Sequence, residues 1–146
     1  PEIVKELAKK NPGRIIVGID AKHGKVATQG WLKQSDVEAT ELAKSFHDVD
    51  IAAIITTDIE TDGTLKGPNI EAMKNMALAS SVPIIASGGV GSIEDLLSLL
   101  TLESYGVRGV IVGRALYDGT IDFHEACHAI GDERLQDLNP GDQYLA

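Results

Sequence analysis

Four short apolar runs in this 146-residue chain each lead straight into a group that could do acid–base or anion-binding chemistry. Arg14–Ile19 runs into Asp20, and Ile51–Thr56 runs into Thr57-Asp58. Val82–Ala86 runs into Ser87-Gly88-Gly89, and Gly109–Val112 into Gly113-Arg114. A carboxylate ending an apolar strand is costly to desolvate unless it is paired or used. Asp20 is therefore either a structural loop cap or a proton-transfer group, and position alone leaves both open. In Ser87-Gly88-Gly89-Val90-Gly91-Ser92 the glycines let backbone N–H groups approach an anion at a helix amino end, where the helix dipole also favours negative charge. Gly113-Arg114 offers a second set of backbone donors with a cation beside it. Either turn alone reads as an ordinary tight turn; two on consecutive strand ends favour a phosphate clamp.

Other residues are weaker candidates. The segment Thr57 to Thr64 collects hydroxyls and carboxylates beyond the second run, yet Asp62-Gly63 also reads simply as a turn. Trp31, the only tryptophan, follows Gly30 in a polar loop, where an aromatic either stacks on a flat ligand ring or packs over a neighbouring loop. His23, His47, His124 and His128 form no metal-ligand spacing with the acids or with Cys127; His124 and His128, one turn apart, read as helix surface. Cys127 falls on an apolar stripe and reads as inert core.

The elements that must position these groups follow from periodicity. Pro1–Lys10 carries Ile3, Val4, Leu7 and Ala8 at helical spacing, and Asn11-Pro12-Gly13 stops it. The apolar runs are short and continuous, as parallel strands covered on both faces are. Lys25–Thr28 suggests a small hairpin, and Ser35 with Glu38 has the form of a capping box opening a helix that carries Ala39, Leu42, Ala43 and Phe46. Ile70, Met73, Met76 and Ala77 mark the next helix. Ser92 caps another with Ile93, Leu96, Leu97 and Leu100, a short turn follows at Ala115–Tyr117, and a last helix carries Phe123, Cys127 and Ile130. Residues 1–132 read as one unit, and 133–146 as a polar, frayed tail.

Composition limits the function classes. With 43% hydrophobic and 24% charged residues the chain is that of a globular protein. A net charge of −9 argues against nucleic acid as a partner. No apolar run approaches the ~20 residues that span a bilayer, so no membrane partner is expected. The single cysteine excludes an internal disulfide and fits a cytoplasmic location. The start at Pro1, without a methionine or a signal-like leader, suggests a fragment or processed product.

Successive strands begin roughly thirty residues apart, the span of a βαβ crossover. A flavodoxin-like sheet usually places its phosphate loop after the first strand, where this chain has Asp20. Glycine turns after the last two strands are instead a habit of eightfold α/β barrels, whose sites lie at the carboxyl ends of the strands. The fold class expected is α/β, of the (βα)8 TIM-barrel type, with only four units present.

Several strings then stand in a telling order: Gly18-Ile19-Asp20-Ala21-Lys22, Gly30-Trp31, Thr57-Asp58-Ile59-Glu60-Thr61-Asp62-Gly63-Thr64-Leu65-Lys66-Gly67-Pro68-Asn69, Ile85-Ala86-Ser87-Gly88-Gly89-Val90 and Val112-Gly113-Arg114-Ala115-Leu116. Together they resemble the carboxyl-terminal half of the phosphoribosylformimino-aminoimidazole carboxamide ribotide isomerase family of histidine biosynthesis, over Pro1 to about Ile130. The related cyclase subunit of imidazole glycerol phosphate synthase shares the glycine turns, but usually has Ser after the Thr and Tyr-Asp in place of Pro68-Asn69.

The resemblance implies a cofactor-free Amadori rearrangement of an aminoaldose to an aminoketose on a substrate with two phosphates. It implies Asp20 as general acid, Thr57 as support for the reacting sugar, and Asp62 as a further acid. Gly30 and Trp31 would belong to a mobile substrate-stacking loop, and Gly88, Gly89, Gly113 and Arg114 to one phosphate clamp. Strands one to four of the family's barrel, with the partner aspartate and the second clamp, are not in this chain. The partner expected is thus the other half barrel or a second copy of this one; the alternatives are a non-catalytic phosphate-binding half barrel or the related cyclase.

Overall fold

A computed structural model describes residues 2–28, 30 and 32–135. Helix α1 (Glu2–Lys10) precedes strands β1 (Ile16–Lys22), β2 (Lys25–Thr28) and β3 (Lys33–Glu38). Helix α2 (Ala39–Lys44), strand β4 (Ala53–Asp58) and helix α3 (Ile70–Ala79) follow, then strand β5 (Ile84–Ser87) and helix α4 (Ile93–Leu100). A 3-10 turn at Glu103–Tyr105, strand β6 (Val107–Ile111) and helices α5 (Arg114–Tyr117) and α6 (Phe123–Leu135) complete the order. One six-stranded sheet runs β3-β2-β1-β4-β5-β6. Its β1, β4, β5 and β6 are parallel neighbours, as four barrel units require, and β2 and β3 form an antiparallel extension.

Side-chain alternation explains why the helices cover one face only. Val17 and Ile19 of β1, Ile54 of β4, and Ile84 and Ala86 of β5 are buried against Ala43 and Phe46, Met73 and Met76 of α3, and Leu96 and Leu99 of α4. Crossovers between parallel strands share one hand, which puts α2, α3 and α4, the helices that link β1, β4, β5 and β6, on that side. The residues of opposite phase, Ile16, Ile55, Ile85 and Ile111, lie outside this core cluster. Ile16 is 51% exposed and Ile111 44%. The continuous apolar runs thus serve two faces, of which the inner, barrel-lining one is open among the described residues. β2 meets β1 only at Ala21 and Lys22, so the ladder leaves the β1 edge from Ile16 to Asp20 without a strand on that side.

The hairpin changes one expectation. Ser35 and Glu38 lie in β3, not at a helix start, and Glu38 precedes α2 without a side-chain cap. The Ser35 hydroxyl instead accepts from the Val37 N–H at 3.2 Å. Pairing with β2, which sets Lys25 opposite Glu38, outweighs the local capping signal. At Ser92 the cap is as expected: its hydroxyl accepts from Asp95 N–H at 3.3 Å, and the Asp95 carboxylate accepts from Ser92 N–H at 3.1 Å.

Helix α6 corrects a second expectation. Cys127 is exposed, and so is Phe123, at 68%. Ala126 is the buried position and Ile130 packs against the core, so the inward stripe is turned by about one residue from the sequence reading. The same helix continues through Gly131 to Leu135, across the expected start of the tail. Likewise Val4 and Ala8 of α1 face the core, while Ile3 and Leu7 are 74% and 44% exposed.

Candidate active site

Strand register assembles the first part of the site. β1 and β4 set Asp20 opposite Thr57, β4 and β5 set Thr57 opposite Ser87, and β5 and β6 set Ser87 opposite Ile111. Parallel strands lie about 4.8 Å apart, so these residues form one row across the carboxyl ends of the strands. Residues in register share a face, and this row belongs to the phase of Ile55 and Ile85, on the helix-free side. Asp20, Thr57 and Ser87 are half-buried there. Asp20 and Thr57 stand inside their strands, one or two residues before the ends, which fixes their backbones in the ladder.

The second part is a cavity of about 220 Å³ beside Ser87. It brings together five of the sequence candidates, Asp62, Gly88, Gly89, Gly113 and Arg114. Gly88 and Gly89 take φ of 102° and 84°, a region that L side chains rarely adopt. Asp95 already accepts the N–H groups of Gly91 and Ser92, at 2.9 and 3.1 Å. An anion in the cavity would therefore have to be met by the earlier part of the turn and by Gly113. The Arg114 guanidinium is anchored, donating from Nη1 to the Gly63 carbonyl at 2.8 Å and from Nε to Asp118 Oδ2 at 2.9 Å. Its charge is held at the rim by the loop that carries Asp62.

Gly30, with φ 63°, lies in the connection from β2 to β3 and does not line this cavity. Trp31 falls outside the described residues. His23 pairs with Glu60 at 2.8 Å across two loops, and His124 and His128 are on the helix surface as expected. Among the described residues no group of three or more His, Cys, Asp or Glu could hold a metal ion. Among them, too, no helix is long and apolar enough to cross a membrane.

Sequence reasoning missed the support beneath the site. Asp58, next to Thr57, alternates to the helix-covered face and is only 6% exposed. Its Oδ2 accepts from Asn69 Nδ2 at 2.6 Å and its Oδ1 from the Glu60 N–H at 2.9 Å. The loop between these partners packs backbone to backbone on the glycine turn: a Cβ on Gly88 would meet the Asp58 carbonyl at 2.8 Å, and one on Gly89 would overlap the Gly67 carbonyl. The available signal was Asn69 itself, an N-cap residue before Ile70. Thr56 was also missed. Its hydroxyl is buried with no hydrogen-bond partner among the described residues, at the wall of a roomier cavity of about 660 Å³ between α2 and α3. That cavity lies on the helix-covered side; it is lined by Asp58 but by none of Asp20, Thr57, Asp62, Gly88, Gly89, Gly113 and Arg114. The row and the glycine-lined cavity, not the larger space, hold the candidate chemistry.

The comparisons with known proteins decide the family. A sequence profile described as histidine biosynthesis protein matches residues 1–122. The chain belongs to this family. A relative from Prochlorococcus marinus (strain MIT 9313), named 1-(5-phosphoribosyl)-5-((5-phosphoribosylamino)methylideneamino)imidazole-4-carboxamide isomerase, is 70% identical over 137 residues, covering 94% of this chain and 54% of the relative. A protein of the same name from Synechococcus sp. (strain CC9902) is 66% identical over all 146 residues, 57% of its own length. Another, from Synechococcus sp. (strain RCC307), is 61% identical over 139 residues. The chain thus spans about half the length of the curated relatives it matches. As a histidine-biosynthesis family member with four parallel units, it has the fold class that its sequence implied.

Proposed function

We propose that this chain is the acid- and clamp-bearing half of an aldose–ketose isomerase acting on a bis-phosphorylated aminoimidazole carboxamide ribonucleotide. The observation that carries the reading is the Asp20–Thr57–Ser87 row beside the glycine-lined cavity, on a sheet face that no helix covers among the described residues. In this reading one phosphate docks on Gly88, Gly89, Gly113 and Arg114, which holds the sugar over the row. Asp20 protonates the ring oxygen as the ring C–O bond breaks, and the nitrogen lone pair forms the imine. Removal of the proton at the adjacent carbon then gives the enol of the aminoketose. That second step needs a carboxylate within about 3 Å of the proton. The pseudo-symmetric partner half is its expected source. Thr57 steadies the sugar, Asp62 acts as a further acid at the cavity rim, and Gly30 and Trp31 belong to the substrate-stacking loop.

The open face supports the need for a partner. Ile16, Ile111, Ile3 and Leu7 are exposed on the inner face, a strand edge and the first helix, where four further strands and their helices would lie. Fully burying one such side chain is worth about 1.5–3 kcal/mol. The partner is the other half of the family's barrel, with a second copy of this chain as the symmetric substitute. The reading needs no cofactor and places the reaction in the cytoplasm, in keeping with the single, unpaired cysteine. Mixing this half with the complementary half, and comparing Asp20→Asn with the unaltered chain in turnover and substrate binding, tests the assignment.

A further inference from the structure

We infer that Asp58 is the positioning residue of this site: its buried carboxylate, tied to Asn69, fixes the 58–69 loop against the phosphate-binding glycines. The inference rests on the phosphate-clamp reading and deepens it.

The loop is closed at its base. Asp58 ends β4, Asn69 caps α3 by accepting the Ala72 N–H at 3.1 Å, and the 2.6 Å bond from Asn69 Nδ2 to Asp58 Oδ2 joins the two ends. Inside the loop the Asp58 carbonyl accepts from the Thr61 hydroxyl and the Asp62 N–H, at 3.1 and 3.0 Å. The first turn carrying Asp62 is thus built on Asp58 by both its backbone and its side chain. A hydrogen bond to a carboxylate contributes more than one between neutral groups, and more when buried.

The far side of this loop touches the clamp twice. Gly67 N–H donates to the Gly89 carbonyl at 2.9 Å, and the Gly63 carbonyl accepts from Arg114 at 2.8 Å. Neither Gly88 nor Gly89 has room for a Cβ, because Asp58, Thr61 and Gly67 stand against them. A shift of the loop by a few tenths of an ångström would therefore move both the turn and the guanidinium. Asp58 itself faces the helix-covered side, so it acts through these contacts and not on the substrate.

Exchanging donor and acceptor tests this. Asp58→Asn leaves a single acceptor oxygen for Asn69 Nδ2 and the Glu60 N–H and turns an NH2 donor against one of them, and Asn69→Asp sets two carboxylates against each other. The double swap Asp58→Asn/Asn69→Asp restores one donor and one acceptor, and Asp remains a good N-cap. Asn69→Ser keeps the cap but removes the amide group that reaches Asp58, and it serves if an aspartate variant fails to fold. Hydrogen exchange of the Gly67 and Asp62 amides in the unliganded chain is the first readout, with Ile54 as the global reference. Inorganic phosphate titration, followed at Gly88 and Gly89, is the second. Each single variant should speed Gly67 exchange and weaken phosphate binding by about tenfold, with Ile54 exchange little changed. The swap should bring both back to within about threefold. Unchanged Gly67 exchange in the single variants overturns the inference, as does a swap no better than the single variants. If the unaltered chain binds no phosphate at these glycines, the clamp reading fails, while the exchange pattern still decides the role of Asp58.

Discussion

Asp20 and Thr57 are direct register partners on adjacent parallel strands, and they share the face of the sheet that carries no helix among the described residues. This one pairing makes the open face chemical and not merely apolar. Below it lie Gly18 and Ile55, then Ile16 and Ala53, so a polar row crowns an otherwise aliphatic barrel lining. Completing the barrel would desolvate the aliphatic rows and leave the polar row at the mouth.

Thr56 and Thr57, neighbours on opposite faces, should respond differently to the same change, one in stability and the other in turnover. Thr56→Val removes a buried hydroxyl that has no partner among the described residues and should stabilise the chain by about 1 kcal/mol. Thr57→Val should leave stability within about 0.5 kcal/mol but lower turnover of the assembled barrel. Urea denaturation midpoints check the first pair of values and steady-state kinetics the second. A destabilised Thr56→Val would show that its hydroxyl is satisfied in solution.

The glycine turn makes a steric prediction. Gly89→Ala places a Cβ on the Gly67 carbonyl at a φ of 84° and should cost about 2 kcal/mol or more. Gly18→Ala, with no atom within 4 Å of the added methyl, should be nearly neutral. Equal denaturation midpoints for the two variants would mean that the two loops are not packed as described.

Much of this was legible in the sequence. The four strand ends, the four-unit α/β architecture and the Ser92 cap follow from apolar runs and local capping chemistry. The hairpin was half seen, because β3 (Lys33–Glu38) is polar and is held by pairing with β2, a non-local term that overrode the Ser35–Glu38 signal. Cys127 and Phe123 looked buried because the apolar spacing in α6 is equally served by a face turned one residue, through Ala126 and Ile130. Asp58 could not be ranked above Asp62 from sequence, since strand alternation decides which acid is buried and which lies at the cavity.

The exposed inner face predicts association. The chain should self-associate or bind the complementary half barrel, and Ile16→Glu combined with Ile111→Glu should abolish both while leaving a folded monomer. Sedimentation velocity and circular dichroism separate these outcomes. An unaltered chain that stays monomeric, alone and with the complementary half, contradicts the proposed closure.

The central claim is that Asp20 supplies the acid in a barrel completed by other strands. Turnover and substrate affinity of the reconstituted barrel, with and without Asp20→Asn, test it most directly. The account predicts a fall in kcat of about 10²–10⁴-fold, with affinity within a few-fold, because one proton donor is lost at nearly constant volume. Undiminished turnover in Asp20→Asn, or loss of binding with turnover per bound substrate unchanged, would contradict it.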